Sequence, residues 1–174
     1  MSYNIIVEGP NNTGKSTFIR KLISDPLFND FEVEHVDSKA PNDYKFHDRL
    51  LFQDKNFIFD RFYIGETIYS EIYERPAKIG VEELVKLCTE HDSKSVVVII
   101  DADFGFMSRA YESKGEEVDW SLIYKEKEMF WDRYKTLSEA GVDVWWIKNH
   151  WDTQYGETTN DDVISHIKNK FDLQ

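Results

Sequence analysis

One stretch near the start of the chain decides the fold, and it reads Gly9-Pro10-Asn11-Asn12-Thr13-Gly14-Lys15-Ser16. It fits the phosphate-binding pattern GxxxxGK[ST] and follows closely on an apolar run at 3–7. In such an arrangement a strand leads into a glycine-rich loop, and the N–H groups and dipole of the next helix face an anionic phosphate. The stretch is therefore predicted to be a P-loop that binds a nucleoside triphosphate.

The polar side chains of this loop have separate tasks. Lys15 supplies a point charge for the outer phosphates, and the Ser16 hydroxyl can ligate a magnesium ion that bridges them. Magnesium is the only metal implied, because the histidines show no metal-ligand spacing and one cysteine cannot complete a zinc site. The predicted nucleotide-binding residues are Gly9, Asn11, Asn12, Thr13, Gly14, Lys15, Ser16 and Thr17.

Length and composition indicate one compact domain covering residues 1–174, since 174 residues with 41% apolar content can bury a sizeable core. No apolar run approaches the length of a membrane helix, and the N-terminus has neither a basic lead nor a cleavable apolar segment. We therefore expect a cytoplasmic protein with no membrane partner. The single cysteine, Cys88, cannot form an internal disulfide.

The charge of the chain bears on its partners. The formal net charge is -12, with 33 acidic against 21 basic residues. Such a field repels a polyanion, so nucleic acid is not an expected partner. A small-molecule substrate held by local arginines is favoured instead.

The apolar pattern alternates between strands and helices along the whole chain. Strands are predicted at 3–7, 31–36, 56–59, 95–100 and 142–147. Helices are predicted at 17–24, 42–53, 65–74, 81–91, 104–113, 120–140 and 161–171. This order predicts an α/β fold, in which a mostly parallel five-stranded sheet lies between helices in a three-layer P-loop NTPase arrangement.

Two later groups of residues are candidates for the chemistry of transfer. Asp60 and Arg61 follow a short buried strand, where ligands gather in α/β sheets. Arg61 could bind an acceptor phosphate bidentately, and Asp60 could bind a magnesium-bound water or act as a base. The alternative is that the two residues form an ion pair at the surface. Arg109 and Lys114 lie in a segment, 109–119, that could close as a lid, although a solvated helix face is an alternative.

Three stretches together carry a family resemblance: VEGPNNTGKST at 7–17, FIFDRFYIGETIY at 57–69 and VVVIIDADFGFMSRAYESKGEEVD at 96–119. In order, spacing and length they resemble the thymidylate kinase family of deoxynucleoside monophosphate kinases, over nearly the whole chain. The compact form is similar to members from bacteriophages, which would place the protein in the host cytoplasm. Family members commonly pair through helices, so the resemblance also implies a homodimer.

The resemblance implies roles for residues of the chain. The P-loop would bind the phosphates of ATP with Mg²⁺, and the Asp60-Arg61-Phe62 stretch corresponds to the family's Asp-Arg-Tyr motif, with the arginine on the acceptor monophosphate. Arg109 and the Lys114 region correspond to the lid. Asp101 corresponds to the acidic residue that closes the strand before the lid, which makes it a further metal candidate. The helix from Gly65 would direct Tyr69 and Tyr73 towards the acceptor base or sugar.

The chain also departs from the family. Asn11 and Asn12 stand where the family usually has an acidic residue and a glycine. Phe46 and Arg49 are the best local substitutes for the family's phenylalanine and arginine on the thymine, although a core or surface role is equally open. Glu66 lies where the family has its serine region and could touch a sugar hydroxyl.

Three functions fit these observations. The first is a deoxynucleoside monophosphate kinase that transfers the γ-phosphoryl group of ATP, with thymidylate or a modified pyrimidine as the first candidate acceptor. The second keeps the kinase chemistry but changes the acceptor to a nucleoside or to a base hydroxyl in DNA. The third is a non-catalytic regulatory protein that binds a nucleoside triphosphate.

Overall fold

The computed structural model describes residues 2–152 and 159–174. A five-stranded sheet lies at its centre, and all its neighbouring strands are parallel, in the order β2-β3-β1-β4-β5. The strands are β1 (Asn4–Glu8), β2 (Phe31–His35), β3 (Asn56–Asp60), β4 (Ser95–Ala102) and β5 (Val144–Asn149). The predicted five-stranded parallel sheet is confirmed.

Helices connect these strands and cover both faces of the sheet. They are α1 (Lys15–Ile23), α2 (Tyr44–Leu51), α3 (Ile64–Ile72), α4 (Val81–His91), α5 (Phe104–Lys114), α6 (Trp120–Glu139) and α7 (Asn160–Lys170). Two short 3₁₀ turns, Pro26–Phe28 and Asp92–Lys94, were not predicted, because three residues are too few to show a period. Within the described ranges, no helix has the length and apolar character needed to cross a bilayer.

The side chains of the central strands alternate between two cores. Ile6, Phe59 and Val97 belong to the core that packs against α3, α4 and α6, whereas Ile5 and Ile58 belong to the core under α1 and α7. Both β1 and β4 are buried along their whole length, as expected for strands with helices on both faces. The three-layer prediction is confirmed, and the rigid sheet fixes the positions of the groups at its carboxyl edge.

Several predicted boundaries are shifted, and the shifts concern charged residues. β1 continues to Glu8, β3 to Asp60 and β4 to Ala102, because parallel pairing persists there, as in the register of Glu8 with Ile99. Each of these predicted strands stopped just before a charged residue, but backbone pairing does not depend on the side chain. α1 begins at Lys15, within the predicted loop, so the lysine belongs to the first turn of the helix.

Candidate active site

Two cavities meet at the carboxyl edge of the sheet. The loop cavity, of about 330 Å³, lies between the P-loop, the end of β3 and the end of α5. The α3 cavity, of about 510 Å³, lies between α3 and the 35–42 connection. Asn11, His35 and Arg61 line both cavities. This arrangement places two ligand-sized spaces side by side, with an arginine between them.

The two glycines of the loop are required by close packing. Gly9 has a φ of 140°, and a Cβ there would lie 2.1 Å from the carbonyl oxygen of Ile100. Gly14 has a φ of 103°, and its Cβ would lie 2.5 Å from Nδ2 of Asn149, which donates a 2.7 Å hydrogen bond to the carbonyl of Thr13. Strands β4 and β5 therefore hold the loop in place, and only glycine allows them to approach so closely.

Lys15 lies under the loop, with Nζ donating hydrogen bonds to the carbonyl oxygens of Gly9 (2.9 Å) and Pro10 (2.5 Å). Its side chain is buried, and burial, together with the nearby charge of Arg61, lowers the pKa of Lys15 to about 8. A phosphate in the loop cavity would offer it a charged acceptor in place of the two carbonyls. This position suits the predicted role on the outer phosphates.

Arg61 follows β3 in a left-handed backbone conformation, with a φ of 66°. Its backbone N–H donates to the carbonyl of Val7 at 3.0 Å, and its Nη2 donates to Oδ1 of Asn11 at 2.5 Å. A positive φ is unusual for arginine, and such conformations persist where the surrounding structure fixes them. The result is a guanidinium held on the wall shared by the two cavities.

The two predicted lid residues are placed differently. Lys114 is the last residue of α5; its Nζ donates to Oδ1 of Asn12, and it lines the loop cavity. The guanidinium of Arg109 instead lies over the ring of Trp151, 4.5 Å from its centroid. Among the described residues, Arg109 borders neither cavity, so only Lys114 joins the P-loop residues.

Ser16 and Asp60 both line the loop cavity. The Ser16 side chain is exposed there, and the Asp60 carboxylate is partly buried, with Oδ2 3.7 Å from Nδ1 of His35. A hydroxyl and a carboxylate at one cavity are the oxygen ligands that Mg²⁺ prefers, so these residues fit the predicted metal.

Asp101 does not join this pair. Its carboxylate is buried and forms a 2.5 Å ion pair with Nζ of Lys127, and it borders a different depression beside α6. Since its neighbours on β4, Ile99 and Val97, face the α3 and α6 core, Asp101 faces the same side, away from α1. The implied metal role of Asp101 is not supported, because the lysine already neutralises it.

The α3 cavity collects some of the predicted acceptor residues. Glu66, Tyr69 and Tyr73 line it. In the part of the chain that the structure describes, Phe46 and Arg49 do not border it. Phe46 packs against the core on the α3 side, and Nε of the exposed Arg49 donates to the carbonyl of Lys45 at 3.2 Å. The interpretation of Phe46 and Arg49 as base contacts is therefore not supported.

Glu66 has a partner that the sequence did not indicate. Its carboxylate accepts two hydrogen bonds from Arg75, at 2.7 and 2.9 Å, and one from the backbone N–H of Lys78 at 3.2 Å. Burial alone would raise the pKa of Glu66, but these donors hold it below the ordinary value. Glu66 thus reaches the cavity as half of a bidentate ion pair with Arg75, which also lines it.

Two further acidic residues were missed. Glu8, at the end of β1, is buried and lines the α3 cavity; its Oε1 accepts the backbone N–H groups of Phe62 (2.8 Å) and Gly65 (3.1 Å). Glu126 on α6 is buried near Lys15 and Tyr69. Burial raises the pKa of both carboxyls, although hydrogen bonds and nearby cations oppose it. A charged residue directly before the P-loop was a signal for Glu8, whereas Glu126 has no local signal on its amphipathic helix.

Comparisons with known proteins give structural relatives only. No family model matches the sequence, and no curated protein matches it. The protein YorR from Bacillus subtilis, solved in complex with phosphorylated GDP, is similar with a TM-score of 0.71 and 21% identity, over 98% of this chain and 96% of that one.

Two other solved structures are kinases. Deoxyadenosine kinase from M. mycoides, solved with bound dATP, has a TM-score of 0.56 and 14% identity, over 95% of this chain and 99% of that one. Thymidylate kinase from Candida albicans has a TM-score of 0.53 and 14% identity, over 98% and 91%.

The chain therefore has the fold of the P-loop nucleoside and nucleotide kinases. Thymidylate kinases are among the proteins that share this fold, so the resemblance read from the sequence is confirmed at the level of the fold.

Proposed function

We propose that the chain is a phosphotransferase that moves the γ-phosphoryl group of ATP to a nucleoside monophosphate. Thymidylate or a modified pyrimidine monophosphate is the first candidate acceptor. The observation that carries this proposal is the position of Arg61, which lines both cavities and is held there by Asn11. A kinase for a phosphorylated acceptor needs a cation between its donor and acceptor sites, and a guanidinium can bind both phosphates at once.

The donor side rests on the loop cavity. Its P-loop residues supply backbone N–H groups and the ammonium of Lys15, which is the arrangement that binds the β- and γ-phosphates of a nucleoside triphosphate. Ser16 and Asp60 would hold Mg²⁺, which neutralises part of the phosphate charge when bound. These features support ATP with Mg²⁺ as the donor.

Transfer depends on positioning and on charge. The transferring phosphoryl group carries negative charge on its equatorial oxygens, so cations around the loop cavity stabilise the transition state more than the ground state. Lys15, Arg61 and Lys114 come to this cavity from α1, the end of β3 and the end of α5. Together they would surround the group on three sides.

The acceptor side rests on the α3 cavity, whose volume suits a nucleoside. Tyr69 and Tyr73 provide aromatic surface for a base, and the Glu66–Arg75 pair provides fixed acceptors and donors. Among the structural relatives, a thymidylate kinase and a deoxyadenosine kinase act on nucleotide or nucleoside acceptors, which agrees with this assignment.

A second function, a nucleoside kinase, is favoured by Glu8. Its Oε1 is occupied by two backbone N–H groups, whereas within the described ranges no donor contacts Oε2, which lies beside Gly65 at the α3 cavity. A carboxylate at that place can accept the proton of a sugar hydroxyl as it attacks a phosphoryl group. A monophosphate acceptor needs no such base, so the identity of the acceptor decides between the two.

The test is a comparison of acceptors. Purified protein is incubated with MgATP and each nucleoside or nucleoside monophosphate, and the products are separated by ion-exchange chromatography. We expect a nucleoside diphosphate with at least one pyrimidine monophosphate, at a kcat of about 1–100 per second. Phosphorylation of a nucleoside to its monophosphate, with no transfer to any nucleoside monophosphate, would favour the second function. No transfer to any acceptor would support the third reading, a nucleotide-binding regulatory protein.

A further inference from the structure

Asn11 and Asn12, the two P-loop positions at which the chain departs from the thymidylate kinase family, each contact a cation from another element. Oδ1 of Asn11 accepts from Arg61, and Oδ1 of Asn12 accepts from Lys114. We infer that these two asparagines are positioning residues, which hold Arg61 and Lys114 over the loop cavity while leaving their positive charge intact. This inference rests on the proposed function, since it assigns the two cations to the transferring phosphoryl group.

The contact between Asn11 and Arg61 joins two exposed side chains across 50 residues of sequence. An arginine side chain has many rotamers in solvent, and a single fixed acceptor removes most of them. The guanidinium has five N–H donors, and the contact with Asn11 uses one of its nitrogens, Nη2. Donors therefore remain for phosphate oxygens on both sides of the shared wall.

The side chain of Asn12 contacts the C-terminal end of α5. Its backbone is in the left-handed region, with a φ of 60°. While Oδ1 accepts from Lys114, Nδ2 donates a long hydrogen bond of 3.5 Å to Oε2 of Glu116. One amide thus contacts residues on both sides of Gly115, where the helix ends.

The amide side chains of Asn11 and Asn12 are neutral, and this neutrality matters for phosphate binding in the loop cavity. A carboxylate at either position would accept the same N–H group and bind it more tightly, but it would add a negative charge to a cavity that must hold phosphates. Asp60 and Glu116 already border this cavity. An amide oxygen orients the cation without cancelling its field, so Arg61 and Lys114 keep their attraction for the phosphoryl oxygens.

Two pairs of variants separate contact from charge. Asn11→Ala and Asn12→Gly remove the acceptor, and glycine preserves the positive φ at position 12. Asn11→Asp and Asn12→Asp keep the acceptor and add a charge. The control pair is Asn29→Ala and Asn29→Asp, at an exposed turn remote from both cavities. Thermal unfolding of every variant confirms that it is folded before it is assayed.

The expected results differ between the pairs. Asn11→Ala and Asn12→Gly should lower kcat about tenfold while the KM for ATP stays within about twofold, because misplaced cations affect the transition state most. Asn11→Asp and Asn12→Asp should weaken the binding of tripolyphosphate, measured by calorimetry, by about tenfold. The Asn29 variants should match the wild type in both measurements.

Each arm can overturn the inference. Wild-type kcat in both Asn11→Ala and Asn12→Gly would show that the contacts do not position the cations for transfer. Tripolyphosphate affinity equal to that of the wild type in both aspartate variants would show that neutrality has no role. The binding arm needs no turnover, so it tests the inference even if no acceptor is phosphorylated and the proposed function fails.

Discussion

The carboxylate of Glu8 accepts a 2.8 Å hydrogen bond from the backbone N–H of Phe62, which ties the last residue of β1 to the residue after Arg61. The same oxygen also accepts from the N–H of Gly65, in the first turn of α3. A single buried side chain therefore joins the P-loop strand, the candidate clamp and the candidate acceptor helix.

This role of Glu8 should have a cost in stability that depends on pH. Burial raises the pKa of Glu8 in the folded protein, because the ionised form is poorly solvated there. At low pH the carboxyl is protonated and the folded state carries no such penalty. As the pH rises from the ordinary pKa of glutamate towards the raised value, the folded state loses free energy of stabilisation. Glutamine keeps an oxygen for the two N–H groups and has no charge to bury. Glu8→Gln should therefore raise the melting temperature at pH 8 by about 2–6 °C.

Calorimetry of the wild type and Glu8→Gln from pH 5 to pH 8 measures this effect. The gap between their melting temperatures should widen as the pH rises. A gap that stays constant, or a wild type that melts higher at pH 8, would mean that the carboxylate is not penalised by its surroundings.

A second prediction concerns Lys15, whose pKa is lowered to about 8 by burial and by the charge of Arg61. The free protein loses this ammonium as the pH rises through about 8, and with it a phosphate ligand. The kcat/KM for ATP should therefore be constant below that pH and fall above it, since this parameter reports the free enzyme.

Initial rates from pH 6 to pH 9.5 at limiting ATP provide the measurement. Lys15→Arg keeps its charge over this whole range, so any residual activity of that variant should lack the alkaline fall. If kcat/KM fell at the same alkaline pH in both proteins, the fall would be due to a group other than Lys15.

A third prediction concerns the ion pair between Glu66 and Arg75. The Glu66 side chain is 4% exposed and that of Arg75 is 34% exposed, so removal of the arginine leaves a buried carboxylate with one backbone donor, from Lys78. Arg75→Met should lower the free energy of unfolding by about 1–3 kcal/mol. The double variant Glu66→Gln with Arg75→Met should recover part of that loss.

Urea denaturation of the wild type, Glu66→Gln, Arg75→Met and the double variant gives a double-mutant cycle for this pair. A coupling energy near zero would contradict the structure of the pair. If the pair also contacts the acceptor, the KM for the acceptor should rise in Arg75→Met while the KM for ATP does not change.

A fourth prediction follows from the position of two exposed residues, Tyr73 and Arg49. Tyr73 lines the α3 cavity, whereas among the described residues Arg49 does not. Tyr73→Ala should raise the KM for the acceptor about three- to tenfold, as expected for the loss of one aromatic contact. Arg49→Ala should leave it within about twofold of the wild type, and a larger rise there would restore Arg49 as a base contact.

The sequence was sufficient for the elements that depend on local pattern. The P-loop between β1 and α1, the five strands and the position of Arg61 after β3 were all predicted, because glycine spacing and buried apolar runs are local signals. Lys114 was predicted to belong to a lid segment, but its contact with the P-loop was not predicted. Its partner, Asn12, lies 102 positions away in the sequence, and such a pairing has no local signature.

The site residues that the structure places away from the two cavities share a physical cause. The family resemblance implied a metal role for Asp101 at the end of a strand, but β4 continues to Ala102 and Lys127 on α6 forms an ion pair with Asp101. Phe46 and Arg49 were chosen because they were near the expected position in sequence, and the packing of α2 directs them elsewhere. The predicted strand stopped before Glu8, whose two backbone partners, Phe62 and Gly65, are brought to it only when β1 and α3 come together in the fold.

The central claim is that Arg61 serves an acceptor phosphate from the wall between the two cavities. The direct measurement is the kcat/KM for a pyrimidine monophosphate and for the matching nucleoside, with MgATP, in the wild type and in Arg61→Lys. We predict diphosphate formation from the monophosphate by the wild type, and a loss of at least about tenfold in Arg61→Lys, because lysine cannot bind two phosphates bidentately. Transfer to the nucleoside alone, or equal values in the two proteins, would contradict the claim.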